Sequence, residues 1–112
     1  MAQEVDYKQL ISKLIELTNQ DKCEWKESSE INRYKYYNYG NNIVVSCSNS
    51  MIGEVYRFEI FDFQEEKLIA RSATVNEQDY TIIKNLYDAV KNYRERYVNK
   101  KMTDLYNSLD QL

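Results

Sequence analysis

Histidine and proline are absent from this chain, and glycine occurs only twice. Without histidine the usual neutral-pH general base and the commonest protein metal ligand are both missing. Gly40 and Gly53 stand alone, so no glycine-rich loop exists to cradle a phosphate. The two cysteines, Cys23 and Cys47, lack CxxC spacing and a secretory leader, and read as reduced thiols of a cytoplasmic protein. Glu4 and Asp6 stand where a signal peptide would be basic, and no apolar run approaches the length of a membrane span. No calcium-loop spacing supplies an all-oxygen metal site. These gaps argue against an enzyme, and for a chain with no cofactor, no metal and no membrane partner.

What the chain has in quantity is tyrosine, eleven in 112 residues, beside many Asn, Lys and Ile. These residues have AT-rich codons, which points to a low-GC bacterium or one of its mobile elements. The length suits a single domain over 1–112. A domain of this size buries roughly two thirds of the surface its unfolded chain exposes and needs no disulfide or metal staple. A net charge of −3 argues against a general affinity for nucleic acid.

Hydrophobic spacing predicts a helix over 6–19. Tyr7, Leu10, Ile11, Leu14, Ile15 and Thr18 form one stripe, capped by Asp6 with Gln9 as its capping-box partner. Trp25 follows among charges, as a short strand or a lid closing one end of the core. From 32 to 73 the period becomes two, predicting strands at 32–39, 43–48, 55–63 and 67–73 joined by short turns. Short connections make neighbours antiparallel. A longer helix over 77–101, capped by Asn76, carries Ile83, Leu86, Val90, Tyr93 and Tyr97 on one stripe. The stripe breaks at Asn99-Lys100-Lys101 and resumes in a new phase over 102–112, a separate short helix or a bent continuation. The expected class is α+β, an α-β-β-β-β-α chain with both helices on one face of an antiparallel meander.

Loop length sets which side chains share a face. A three-residue loop at Gly40-Asn41-Asn42 pairs Tyr39 with Ile43 and Tyr37 with Val45. A three-residue loop at 64–66 pairs Glu59 with Arg71 and Phe61 with Ile69. On that register Tyr37, Tyr39, Ile43, Val45, Tyr56, Phe58, Ile60, Leu68 and Ala70 line the helix-covered face, with Lys35 beside the inward tyrosines. The other face carries Tyr34, Tyr36, Val44, Arg57, Glu59, Phe61, Ile69 and Arg71.

Three candidate surfaces follow. Tyr34, Tyr36, Val44, Arg57, Phe61, Ile69 and Arg71 have the composition of an interface core, and propose protein binding or a homodimer through the open sheet face. The bland alternative is a face screened by long side chains or covered by 102–112. The stretch Lys91, Arg94, Arg96, Lys100 and Lys101, opposed only by Glu95, suits a phosphate backbone or an acidic partner. Its bland alternative is a set of cations complementing the helix dipole. The tyrosines of 33–40 suggest base stacking beside cations, but Glu54, Glu59, Asp62, Glu65 and Glu66 crowd the neighbouring strand and turns. Cys47 is expected to point inward as a small hydrophobe. The leading expectation is a non-catalytic protein-binding domain of the inhibitor, immunity or anti-defence kind, with nucleic-acid binding second.

Overall fold

The structure, a computed structural model, describes residues 5–112, so Glu4 lies outside the described residues. The chain runs α1 (Tyr7–Asn19), β1 (Lys26–Glu27), β2 (Arg33–Asn38), β3 (Asn41–Ser50), β4 (Gly53–Phe61), β5 (Lys67–Ala73) and α2 (Tyr80–Leu109). The five strands form one antiparallel sheet in chain order, β1-β2-β3-β4-β5. The α+β class and the meander are those expected, with a two-residue β1 added at one edge.

The start of α1 follows from its sequence. Asp6 accepts from Gln9 N at 2.9 Å, and the Gln9 side chain accepts from Asp6 N at 3.1 Å, a reciprocal capping box. The helix buries Ile11, Leu14 and Thr18. Trp25 sits just before β1, fully buried, and its indole N–H donates to Thr18 Oγ1 at 2.9 Å. It is both the expected lid and a tie between α1 and the sheet edge. α1 lies alongside the first half of α2: Lys8 pairs with Asp79 at one end and Arg96 with Asp21 at the other.

Two hairpin loops depart from the expected lengths. The β2–β3 loop is only Tyr39-Gly40, with φ of 53° and 79°. Two positive φ values in a two-residue loop define the primed turn whose twist matches the strands. The register becomes Tyr34↔Val45 and Tyr36↔Ile43, an odd shift that exchanges the faces of β2. At the β4–β5 turn, Glu65 has φ 62° and the Asp62 carboxylate accepts from Gln64 N and Glu66 N, each at 2.9 Å. A bulge beyond Ile60 leaves Leu68 without an opposite residue, and Ile60 pairs with Ile69 and Phe58 with Arg71. The faces of β5 exchange as well.

The core therefore takes Tyr34 from β2, Ile43 and Val45 from β3, and Tyr56, Phe58 and Ile60 from β4. Ile11, Leu14, Ile83, Leu86, Tyr87, Val90 and Tyr93 close it from the helices. Tyrosine rings run in a chain across it, Tyr34 to Tyr87 at 5.8 Å, Tyr87 to Tyr56 at 5.4 Å and Tyr56 to Tyr80 at 5.4 Å. Tilted and edge-on contacts of this kind add to area burial. Much of the tyrosine content is thus packing between α2 and the sheet.

α2 is one unbroken helix to Leu109, not a helix to 101 with a separate tail. It begins at Tyr80 rather than 77, and Asn76 does not cap it. Glu77 instead accepts from Thr74 N and Oγ1 at 3.1 and 2.8 Å, closing the turn before the helix.

Candidate functional site

The open face of the sheet differs from the expected interface. Val44, Arg57 and Phe61 lie on it as expected. Tyr34, Tyr36, Ile69 and Arg71 do not; the two register shifts place them on the helix-covered face. Tyr34 is buried against Tyr87 and Tyr36 lies 5.4 Å from Trp25. Ile69 packs on the core, and the Arg71 guanidinium lies over the Tyr7 ring at 5.0 Å. Burial holds the Tyr34 and Tyr36 phenols above the ordinary tyrosine range, Tyr34 next by the charge of Glu27 and Tyr36 next by Cys23.

The residues left on the open face screen one another. Val44 is buried although no helix covers it, under a shallow recess of about 280 Å³ lined by Arg33, Lys35, Asn42, Phe61 and Glu65. Glu59 pairs with Arg57 at 3.4 Å and Lys67 at 3.1 Å, and Lys67 lies over the Phe61 ring at 5.7 Å. Leu68 and Ala70, expected in the core, face outward here. Arg33, Lys35 and the exposed Tyr37 now share this face, so cations and an outward tyrosine do lie together, contrary to the expected register. Cys47 does point to the helix side, opposite Tyr56, and burial raises its thiol pKa.

The basic stretch of α2 does not form one surface. At about 100° per residue, Lys91, Arg94 and Lys101 fall roughly 150° from Arg96 and Lys100. Two of the five are committed to the fold. Arg94 donates to the Trp25 carbonyl at 3.0 Å and stacks on Tyr97 at 4.8 Å. Arg96 donates to Asp21 at 2.7 and 3.1 Å and to the Thr18 carbonyl at 3.3 Å. Tyr34, Lys91 and Arg94 do meet, around a groove of about 480 Å³, but Glu27 and Glu95 line it too.

The surface that sequence reasoning passed over is the far end of α2. Every residue from 97 to 112 is exposed. α1 runs beside α2 only as far as Arg96, and residues 97–100 still border grooves with Glu27, Tyr34, Asp21 and Glu24, so helix residues 101–109 project about 14 Å beyond their neighbours. Val98, Met102, Leu105 and Leu109 stand within an arc of about 60° on this projection. Their exposures of 40, 56, 61 and 54% leave an apolar seam open to water, with Tyr106 at its flank. The seam is rotated by about 100° from the stripe of Ile83, Leu86, Val90 and Tyr93 that seats the helix on the sheet. The change of phase at 102, visible in the sequence, marks a turn of the apolar face away from the sheet and not the end of the helix.

Helix propensity does not account for the projection. Asn99, Thr103, Asp104, Asn107 and Ser108 are weak helix formers, and a helical segment this short draws its stability from packing of its apolar face. No helix of the described residues is long and apolar enough to cross a membrane. Comparison with known protein families, with curated proteins and with solved structures found no match to this chain.

Proposed function

We propose that this chain is a small non-catalytic protein-binding domain whose binding element is the projecting half of α2. One observation carries the reading: Val98, Met102, Leu105 and Leu109 form a continuous apolar seam left open along the end of α2 that projects from the domain. Contiguous exposed apolar surface rimmed by polar residues is the physical mark of a docking surface. Amphipathic helices dock through such i, i+3, i+4, i+7 anchors. The sheet and α1 serve in this reading as the platform that holds the helix out. A stoichiometric binder of the inhibitor or immunity kind, working in a reducing cytoplasm where its two free thiols persist, is the class we favour.

The test is affinity capture from the native host with the wild-type chain and with Leu105→Glu as paired baits. The reading expects a protein retained by wild type and lost by the variant. Equal capture by both baits, or capture by neither, would discard the seam as the binding element.

A further inference from the structure

We propose that the open face of the sheet binds single-stranded nucleic acid, with bases over a row led by Tyr37 and phosphates over a row of arginines. This is the face that α1 and α2 leave bare, and the site does not depend on the seam of α2.

Strand pairing sorts the open face into rows that cross the strands. One row runs Tyr37-Asn42-Phe61-Lys67, the next Lys26-Lys35-Val44-Glu59-Ala70, and the third Arg33-Ser46-Arg57-Ser72. The third row consists of two guanidiniums and two hydroxyls, all able to donate a hydrogen bond. The first sets two aromatic residues on either side of an amide, about 10 Å apart across two strand spacings. Tyr37 is 66% exposed and takes no part in the core. Sheets hold single strands with this combination, because ring faces stack on bases while cations follow the backbone.

Charge identifies the occupant as an anion. Among the described strand residues of this face, Lys26, Arg33, Lys35, Arg57 and Lys67 stand against Glu59 alone. The whole chain carries −3, so its acidic excess lies elsewhere. Glu59 is already met by Arg57 and Lys67. Lys26 and Lys35 stand directly opposite one another, a like-charge pair that destabilises the sheet. Arg33 reaches Glu30 at 3.2 Å, and its buried Nε–H has no acceptor among the described residues. Phosphate oxygens over this face relieve the lysine pair and give the guanidiniums acceptors.

The fold also removes most of the carboxylates that weigh against base stacking in the sequence. Glu54 lies opposite Asn49 on the helix side, where it accepts from the Tyr56 hydroxyl at 2.5 Å. Asp62 accepts two backbone N–H groups of its own turn. Glu24 and Glu65 remain at the margins, one before β1 and the other in the β4–β5 turn. Between them lie a recess of about 320 Å³ against Lys26, Lys35, Tyr37 and Asn42, and the recess of about 280 Å³ over Val44. The two share Lys35 and Asn42, and so make one shallow track from β1 to β4. An acidic protein fits this track less well. Protein interfaces centre on an apolar core, and Val44 is already buried by its own neighbours.

Fluorescence anisotropy with labelled 12-nucleotide single strands of mixed sequence, one DNA and one RNA, tests this at 50 and 200 mM salt. Wild type is expected to bind at least one of them at the lower salt with a Kd of about 1–100 μM, and more weakly at the higher. Tyr37→Ala is expected to weaken binding about 5- to 100-fold, and Tyr37→Phe, which keeps the ring, to bind as wild type does. Lys35→Gln is expected to weaken binding and flatten its salt dependence, while Lys100→Gln on α2 changes neither. Unchanged Trp25 fluorescence shows that each variant is folded. No binding to either strand at 50 mM salt, or binding indifferent to Tyr37→Ala, would overturn the proposal. So would a loss with Lys100→Gln equal to that with Lys35→Gln, which places the contact on α2. A labelled oligoglutamate peptide bound as tightly as the single strands would mean that the face reads acidity alone, and nucleic acid would be the wrong partner.

Discussion

Trp25 and Thr18 tie α1 to the edge of the sheet beside β1. The indole N–H is fully buried and its partner is the Thr18 hydroxyl, itself fully buried. Thr18→Val keeps the shape and removes the acceptor, leaving an unpaired N–H in the core. The expected loss is about 1–3 kcal/mol, read as a lower urea midpoint by the fluorescence of the single tryptophan. The tyrosines make a second test at this scale. Burial, as the largest cause, raises the phenols of Tyr7, Tyr34, Tyr36, Tyr56, Tyr87 and Tyr93, Tyr87 up to about 12. A raised folded value means that the neutral form is favoured in the native state. The stabilisation is complete below the ordinary value of 10.0 and is lost as pH rises through the folded value. In phenolate absorbance these six are expected to ionise late and together with unfolding. A single stage near pH 10 with the fold intact would contradict the packing of the tyrosine chain.

The elements differ in how plainly the sequence announces them. The Tyr39-Gly40 turn places a tyrosine at φ 53°, a conformation costly to a side chain that is 95% exposed and packs on little. Asn-Gly is the preferred pair for this turn. Tyr39→Asn is therefore expected to stabilise the chain by about 1 kcal/mol, seen as a higher midpoint in thermal or urea unfolding. No apolar pattern reveals such a turn, because the positive φ belongs to the backbone and Tyr is at home on either side of a strand. This is why β3 and β4 are legible, with their Ile43, Val45, Phe58 and Ile60, while β2 and β5 read inverted. One odd error in loop length turns a strand over, and Leu68 at the β5 bulge adds a residue that alternation does not show. α1 and its capping box are legible because their signals are local. The open-face candidates failed at Tyr34, Tyr36, Ile69 and Arg71 for the register reason alone. The seam of α2 was present in the sequence as a change of phase at Met102; whether anything covers it is a property of the three-dimensional arrangement.

On the scale of the whole molecule, the projecting helix separates shape from stability. The radius of gyration is 16.1 Å, against about 13 Å for a rounded domain of this length. The projecting helix end adds to that extension while supplying no buried residue, every one from 97 to 112 being exposed. Removing 99–112 is therefore expected to change the unfolding free energy of the dilute monomer by no more than about 0.5 kcal/mol, because no core residue loses a neighbour. Urea titrations of the two chains at a dilute concentration, followed through Trp25, are expected to coincide. Divergence would mean that the helix end packs on its own domain, and the extended arrangement of α2 would be wrong.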